Sequence, residues 1–319
     1  MRFDPYSLLM RKMLTTRLLL WSFGIYCAGC VVAGIFLAEV SLHLPKRQLG
    51  NGLEYRTRMR RDFHANVQDV SIVAADGAVL RSWFVQPPDV NGKAVLLLHG
   101  ITDNRLGASG FGDYFLARGY SVLLPDSREH GASGGGLATY GILERDDVRR
   151  WVSWVRERSP GCTYLLGESM GAAIGLQATA VTPQLCAVVV ESPYSTFREI
   201  SYERLGRETH LGALFWRTVG RPVLEVAILY AGARYDINLP RADPESAVEL
   251  SRVPTLLIAG TADRNIPPHD AAELEAVCPS HCALWVVPGA DHGGASAVAP
   301  VEFWRRVSDW FESHGESVQ

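Results

Sequence analysis

The chain has 319 residues, which is enough for one large domain or two ordinary ones, and 47% of them are hydrophobic. The formal net charge is only −3, so the composition excludes a strongly basic protein that binds nucleic acid or another polyanion. No internal repeat or low-complexity tract is visible, which excludes a repeat architecture.

Residues 18–40 are predicted to form a transmembrane helix. The run from 18 to 38 carries no charge, and its length suits a helix that crosses a hydrocarbon layer about 30 Å thick. A cleaved signal peptide is the alternative, but its apolar segment is normally shorter and no clean cleavage site follows this one. We therefore expect a short N-terminal tail (1–17), a single-pass anchor (18–40) and a basic juxtamembrane linker (41–61).

The side of the membrane on which the rest of the chain lies is harder to predict. Basic residues flank the span on both sides, so the positive-inside rule gives no orientation. The basic stretch 46–61 either lies on anionic headgroups or is solvated. Cys162 with Cys186 and Cys278 with Cys282 are two plausible disulfide pairs, although buried free thiols are the alternative. Two such pairs favour a non-cytoplasmic location for the domain.

The segment 62–319 has the pattern of an α/β domain. Residues 67–73 and 79–85 flank Asp76-Gly77 and predict an antiparallel hairpin. Short apolar runs that alternate with helical segments then predict a mostly parallel eight-stranded sheet with helices on both faces. The further predicted strands are 94–98, 120–124, 163–166, 187–190, 255–259 and 284–287, and the clearest predicted helices are 107–118, 144–158 and 298–311.

A long segment without strand-like runs, 193–249, interrupts this alternation. It contains a polar amphipathic stretch, 196–207, and an apolar one, 211–233, which Pro222 interrupts. An insertion of this length between strands is usually functional. We interpret it as a helical cap over the carboxyl ends of the strands, and a second membrane-associated helix is the alternative.

Ser169 is the candidate nucleophile. It stands in Gly-Glu-Ser-Met-Gly (167–171) between a predicted strand and a predicted helix, which is the nucleophile-elbow pattern, although a glycine-rich turn without chemistry has the same appearance. His292 and Asp263 each follow a predicted strand, at the edge where a parallel sheet places active-site groups. Histidine as base and aspartate as its orienting carboxylate would complete a catalytic triad. Glu191, at the end of the strand before the cap, is the alternative acid.

These motifs, in this order, resemble the alpha/beta-hydrolase superfamily over residues 67–311. Further matches are the loop His-Gly-Ile-Thr-Asp-Asn (99–104) and the Asp-x-Arg-x-x-Gly-x-Ser-x-Gly loop (126–135). Within that superfamily, the chain resembles membrane-anchored Bem46-like and serine-aminopeptidase-like hydrolases with a short helical cap. The resemblance implies an alpha/beta-hydrolase fold, with the backbone N–H groups of Ile101 and Met170 as the oxyanion hole.

The expected function is therefore a serine hydrolase that cleaves a carboxylic ester through an acyl-enzyme on Ser169. An apolar cap and an anchor favour a small-molecule acyl ester, lipid-derived or otherwise apolar, with membrane lipid contacted through the N-terminal helix. A serine peptidase and a thioesterase remain open because they need the same triad, and a membrane-tethered binding protein with a vestigial site is the alternative of another class. No cofactor, metal site or oligomeric state is indicated, and His99 and His130 are expected to be structural.

Overall fold

The computed structural model describes residues 5–50 and 52–315, and the side chains of residue 10 and of residues from 12 onward within those ranges. Residues 1–4 of the predicted tail, residue 51 of the predicted linker and residues 316–319 of the predicted hydrolase domain lie outside the described residues.

An eight-stranded sheet forms the centre of the domain, as predicted. Its spatial order is β1-β2-β4-β3-β5-β6-β7-β8, and β2 alone runs opposite to the other strands. The strands are β1 (Asn66–Val73), β2 (Val79–Gln86), β3 (Ala94–Leu98), β4 (Ser121–Pro125), β5 (Thr163–Glu168), β6 (Leu185–Glu191), β7 (Thr255–Gly260) and β8 (Cys282–Val287). The predicted hairpin is confirmed, with Val73 opposite Val79 beside the Asp-Gly turn.

Helices cover both faces of the sheet, which confirms the predicted layers. The helices are α1 (Pro5–Leu42), α2 (Leu53–Phe63), α3 (Arg105–Leu116), α4 (Glu144–Arg156), α5 (Met170–Thr179), α6 (Phe197–Glu208), α7 (Ala213–Arg217), α8 (Arg221–Tyr235), α9 (Pro244–Leu250), α10 (Pro268–Val277), α11 (Ala295–Val298) and α12 (Pro300–Ser313). Helices α2, α3 and α12 pack on one face, and α4, α5, α9 and α10 pack on the other. The strands β3 to β7 are almost fully buried between these layers because both of their faces are apolar.

Helix α2 lies in the stretch for which the sequence predicts only a linker. Tyr55 and Met59 are buried, and the ring of Tyr55 stacks on Trp83 of β2 with 4.7 Å between ring centroids. Arg56 pairs with Asp69 of β1 at 2.6 Å, so part of the basic charge is satisfied by the domain itself. The second half of the predicted linker is thus packed against the sheet.

The insertion between β6 and β7 consists of α6, α7, α8, a short 3-10 turn (Leu239–Arg241) and α9, and no strand is described in it. The predicted apolar stretch 211–233 divides into α7 and α8, because Pro222 stands in the first turn of α8, where its missing N–H costs nothing. Helix α9 was not predicted. Helices α6 and α8 lie over the carboxyl ends of the strands, where they line a cavity above Ser169.

Helix α1 contains a segment, Lys12–Leu42, that is long and apolar enough to cross a membrane. Most of this segment is exposed, but its C-terminal part packs against α8 of the cap. Tyr26 donates a hydrogen bond to the carbonyl of Val219 at 2.5 Å, and Glu39 accepts one from Tyr230 at 2.6 Å. The predicted span is therefore in direct contact with the cap.

Both of the cysteine pairs considered from the sequence form disulfides, Cys162–Cys186 and Cys278–Cys282. The first joins the neighbouring strands β5 and β6 at their amino-terminal ends. The second closes the short connection between α10 and β8. Neither pair is a pair of free thiols.

Candidate active site

Ser169 stands at a sharp turn between β5 and α5. Its φ is 56°, a left-handed conformation that a residue with a side chain rarely adopts. A Cβ on Gly167 would lie 2.5 Å from the carbonyl oxygen of Gly171, and a Cβ on Gly171 would lie 2.5 Å from that of Leu98. Glycine is therefore required at both positions, because a side chain at either one would clash with a neighbouring backbone. The same requirement holds in a nucleophile elbow.

The structure brings the three predicted residues Ser169, His292 and Asp263 into one hydrogen-bonded chain. The Oγ of Ser169 lies 2.9 Å from Nε2 of His292, and Nδ1 of the same ring lies 2.8 Å from Oδ2 of Asp263. The three residues come from the loops or turns after β5, β7 and β8, which are brought together because parallel strands end at the same edge. Ser169 and Asp263 are buried, whereas the imidazole is partly exposed.

Asp263 is held in its charged form. Burial alone would raise its pKa, but hydrogen bonds from His292 and from the backbone N–H of Ile266 outweigh burial, and the pKa is lowered below its usual value. Its other oxygen accepts from the N–H groups of Asn265 and Ile266 at 2.8 and 2.9 Å. A carboxylate fixed in this way orients the imidazole with the Nδ1 proton toward Asp263 and the Nε2 lone pair toward Ser169.

Glu191, the alternative acid, makes no hydrogen bond or ion pair with the imidazole ring in the described structure. One of its carboxylate oxygens accepts from the N–H of Ala295 at 2.7 Å, and the other is buried without a hydrogen-bond partner among the described residues. Of the two candidate acids, the described structure therefore places Asp263 at the Nδ1 of His292.

The loop after β3 carries Ile101 beside Ser169. A Cβ placed on Gly100 would lie 3.6 Å from the Cβ of Ser169, so the backbone of this loop passes directly over the serine. Met170 is the first residue of α5, where the N–H group has no partner inside the helix. Both predicted oxyanion donors thus lie on backbone next to Ser169.

Two buried histidines hold this loop in place. Burial lowers the pKa of His99 to about 4, so the ring is neutral at neutral pH. Its Nδ1 donates to the carbonyl of Gly100 at 2.8 Å, and its Nε2 accepts from the N–H of Ser127 at 3.0 Å. His130 supports the same loop, since its Nε2 accepts from the N–H of Thr102 at 3.2 Å. Both histidines serve as hydrogen-bonding supports, as the sequence predicts.

The Asp-x-Arg loop after β4 is fixed by buried ion pairs that the sequence pattern does not identify. Asp126 accepts from the backbone N–H and the guanidinium of Arg105, at 2.8 and 2.7 Å. Arg128 donates two hydrogen bonds to Asp147 of α4, both at 2.8 Å. The motif therefore connects the loop after β4 to α3 and α4 through ion pairs. None of these four residues lines the cavity over Ser169.

A cavity of about 580 Å³ lies over Ser169. Its inner end is formed by the loop 99–101, Ser169, Met170 and His292, and its walls are mostly apolar. The cap contributes side chains from α6 and α8, among them Phe197, Ile200, Leu224 and Ala227. The end of the span contributes Leu37, Ala38, Val40 and Ser41, and Leu44 follows it. This last contribution could not be predicted from the sequence, because an apolar run has the same composition whether it faces lipid or protein.

Two groups of side chains in the described chain have ligand atoms close enough to share a metal ion. In the first, Cys278 and Cys282 are joined in a disulfide, so His281 has no thiolate beside it. In the second, His269 of α10 lies 3.1 Å from the carboxylate of Glu203 of α6 and forms a link between cap and core. Neither group lines the cavity over Ser169.

Comparison with known proteins gives a consistent result. Residues 95–307 match the model of a family described as the alpha/beta hydrolase family. The chain is 23% identical over 310 residues to the uncharacterised protein YqkD of Bacillus subtilis, covering 94% of this chain and 99% of that protein.

Two solved structures share the fold. An esterase of Pyrococcus furiosus is similar with a TM-score of 0.68 at 24% identity, over 86% of this chain and 98% of that one. Acetyl xylan esterase 1 of Thermoanaerobacterium is similar with a TM-score of 0.58 at 17% identity, over 88% and 98%. At these identities the likeness shows the fold alone.

Proposed function

The chain belongs to the alpha/beta hydrolase family, and from this premise we propose that it is a serine hydrolase that cleaves carboxylic esters through an acyl-enzyme on Ser169. The observation that carries the proposal is the chain of two hydrogen bonds, of 2.9 and 2.8 Å, from Ser169 through His292 to Asp263. Those distances lie within the reach that proton transfer between nucleophile and base requires.

In the proposed mechanism, Nε2 of His292 takes the proton of Ser169 as Oγ attacks the carbonyl carbon of the ester. Asp263 keeps the Nδ1 proton in place and offsets the charge of the imidazolium. The tetrahedral intermediate collapses with release of the alcohol, which receives the proton from His292. Water then loses a proton to His292 and attacks the acyl-enzyme, which releases the carboxylic acid and restores Ser169.

The negative charge that develops on the carbonyl oxygen needs donors that are already in place. We assign this role to the N–H groups of Ile101 and Met170. Their support is their position, since one lies on the loop over Ser169 and the other at the start of α5, where the helix dipole also favours an anion.

We propose an ester with an apolar acyl group as substrate, rather than a peptide or a thioester. The support is the wall of the cavity, where α6, α8 and the span contribute mainly apolar side chains. The names of the two solved relatives also describe ester hydrolysis, and we extend that activity to this chain as part of the proposal.

We also propose that α1 anchors the protein and that the domain lies on the non-cytoplasmic side. The disulfides Cys162–Cys186 and Cys278–Cys282 support an oxidising compartment. Protease treatment of sealed membrane vesicles tests the orientation. Digestion of the domain in vesicles whose cytoplasmic face is outward would contradict it.

The chemistry is tested by treating the full-length protein in detergent with a fluorophosphonate probe and mapping the labelled peptide. We expect the probe on Ser169 and none on the Ser169→Ala variant, which should keep the melting temperature of the wild type. Absence of labelling on a folded wild-type protein would overturn the serine-hydrolase proposal. Rates on p-nitrophenyl butyrate, a peptide p-nitroanilide and an acyl thioester of equal chain length then decide between esterase, peptidase and thioesterase.

A further inference from the structure

The C-terminal end of the span forms part of the cavity wall over Ser169. Leu37, Ala38, Val40 and Ser41 of α1 line the cavity together with Leu44. Ala38 is only 1% exposed, which places it inside the protein rather than toward lipid. A helix that served only as a tether would be joined to the domain by the linker and would not contribute to its cavity.

Helix α8 of the cap lies beside the span over a considerable length. The contacts begin at Tyr26 with Val219, two residues before α8, continue at Gly34 with Val226, and end at Glu39 with Tyr230. From residue 26 to residue 39, α1 rises by about 20 Å at 1.5 Å per residue. The first part of this contact lies within the apolar run 18–38, so the start of α8 lies beside a part of the span that we expect within the hydrocarbon layer.

The outer surface of the cap is suited to that environment. Large apolar side chains are exposed on it, with Leu214 and Leu229 at 74% and 70% and Val219 at 54%. Exposed apolar groups of this size next to an apolar span are typical of a surface that contacts a membrane.

Three arginines of this region are paired with glutamates of α6 and α8. Arg221 lies 3.4 Å from Glu225, which also pairs with Arg198 at 2.5 Å, and Arg217 pairs with Glu199 at 2.5 Å. Pairing lowers the cost of placing these charges near lipid, and long arginine side chains can extend toward the interface.

We propose that the substrate is a long-chain acyl ester dissolved in the bilayer, and that it reaches Ser169 by lateral movement between α8 and the C-terminal end of the span, whose contacts at Glu39 and Tyr230 separate to admit it. The proposal rests on the serine-hydrolase function proposed above. The acyl chain lies along the apolar wall formed by Ala38, Leu224 and Ala227, and its carbonyl group reaches Ser169 at the inner end. Hydrolysis adds water across the ester bond and releases a fatty acid and an alcohol.

Surface dilution tests this route on the full-length protein reconstituted in phosphatidylcholine vesicles with monopalmitoylglycerol. If the ester enters from the bilayer, turnover per enzyme depends on its mole fraction in the membrane. Diluting the vesicle suspension about tenfold should then leave turnover unchanged. In a second experiment, the bulk concentration of the ester is kept constant and phosphatidylcholine is added until the mole fraction of the ester in the membrane falls about tenfold. Below saturation, turnover should then fall about tenfold. Turnover that followed the bulk concentration instead would overturn the proposal.

A pair of variants on α8 tests the passage itself. Ala227 is buried in the cavity wall and Ala233 is exposed on the same helix, so Ala227→Trp should obstruct the passage and Ala233→Trp serves as the control. For Ala227→Trp we expect the ratio of activity on monopalmitoylglycerol to activity on p-nitrophenyl acetate to fall at least about tenfold. For Ala233→Trp the ratio should equal that of the wild type. An equal ratio in both variants, each labelled at Ser169 by the fluorophosphonate probe, would overturn the proposed route.

The two proposals fail differently. A folded protein that is not labelled at Ser169 contradicts the serine-hydrolase function. A protein that is labelled and hydrolyses p-nitrophenyl acetate, but does not hydrolyse monopalmitoylglycerol in its own vesicles, contradicts only the substrate class and route. If Ala227→Trp does not fold, surface dilution on the wild type still decides whether the ester comes from the bilayer.

Discussion

The carboxylate of Glu191 accepts a hydrogen bond of 2.7 Å from the backbone N–H of Ala295, which links the end of β6 to the segment that follows His292. Burial raises the pKa of Glu191 to about 7; the hydrogen bond from Ala295 opposes this rise, and the nearby carboxylate of Glu168 adds to it. A carboxyl group that is difficult to ionise thus lies under the loop that carries the candidate base.

The first prediction concerns stability and pH. Because the pKa of Glu191 is higher in the folded state than its ordinary value of 4.5, the folded protein binds the proton more tightly. The contribution of the Glu191 carboxyl to the free energy of unfolding is fully present below about pH 4.5 and is lost as the pH rises through about 7. It does not change further at higher pH. The Glu191→Gln variant should lack this loss and should be more stable than the wild type at pH 8, by on the order of 3 kcal/mol.

Thermal unfolding of the detergent-solubilised protein at pH 5 and pH 8 measures this difference. Glu249→Gln is a suitable control, since that carboxyl is exposed on α9. A wild type and a Glu191→Gln variant whose melting temperatures change in parallel between the two pH values would show that Glu191 does not titrate as expected.

The second prediction distinguishes the two candidate acids. Asp263→Asn removes the charge that holds the Nδ1 proton of His292, and should lower kcat on a p-nitrophenyl ester by about 10³- to 10⁴-fold. Glu191→Gln should lower kcat by less than about tenfold, because Glu191 makes no hydrogen bond or ion pair with the imidazole ring in the described structure. A greater loss in Glu191→Gln than in Asp263→Asn would reverse the assignment.

The sheet and the site residues could be predicted because each depends on local patterns. A strand buried on both faces, such as β3 or β5, must be a short apolar run, and residues directly after such strands must meet at one edge. Ser169 and Asp263 follow strands of this kind and His292 follows the edge strand β8, so the topology brings them together at one edge of the sheet. The same reasoning placed Cys162 beside Cys186, whose pairing in the structure is a disulfide.

Other features depend on tertiary contacts that leave no local pattern. Helix α2 carries four arginines and resembles a solvated linker in the sequence. The contacts of Tyr55 and Met59 with the sheet, together with the pair between Arg56 and Asp69, give it a place in the fold. The packing of the span against α8 is likewise not indicated by any local sequence pattern. Ala38 is buried in the cavity wall and Ala33 is exposed, yet both are alanines in one apolar run.

The third prediction concerns His99 as a positioning residue for the loop over Ser169. His99→Ala removes the hydrogen bonds to Gly100 and Ser127, so the N–H of Ile101 should lose its fixed position. We expect kcat to fall by about 10- to 100-fold with little change in KM, since an oxyanion donor acts mainly in the transition state. Fluorophosphonate labelling should also slow, and His99→Gln, which retains one donor and one acceptor, should recover part of the activity. A rise in KM at constant kcat would contradict this role.

The fourth prediction compares the two disulfides. The Cys162–Cys186 bridge joins residues 24 positions apart and the Cys278–Cys282 bridge joins residues 4 apart, so the first restricts the unfolded chain more. In the chain-entropy model, the double Cys→Ser variants should lose about 3 and about 2 kcal/mol of stability, respectively. The melting temperature of the Cys162→Ser/Cys186→Ser variant should therefore fall further than that of the other double variant. A reducing agent should lower the melting temperature of the wild type, but not that of a variant in which all four of these cysteines are replaced by serine.

If the reducing agent leaves the melting temperature of the wild type unchanged and accessible thiols appear only at Cys27, the bridges are resistant to reduction. If thiol labelling also finds Cys162 and Cys186 free in protein isolated under non-reducing conditions, the bridge between β5 and β6 does not form in the cell, and the argument for an oxidising compartment fails with it.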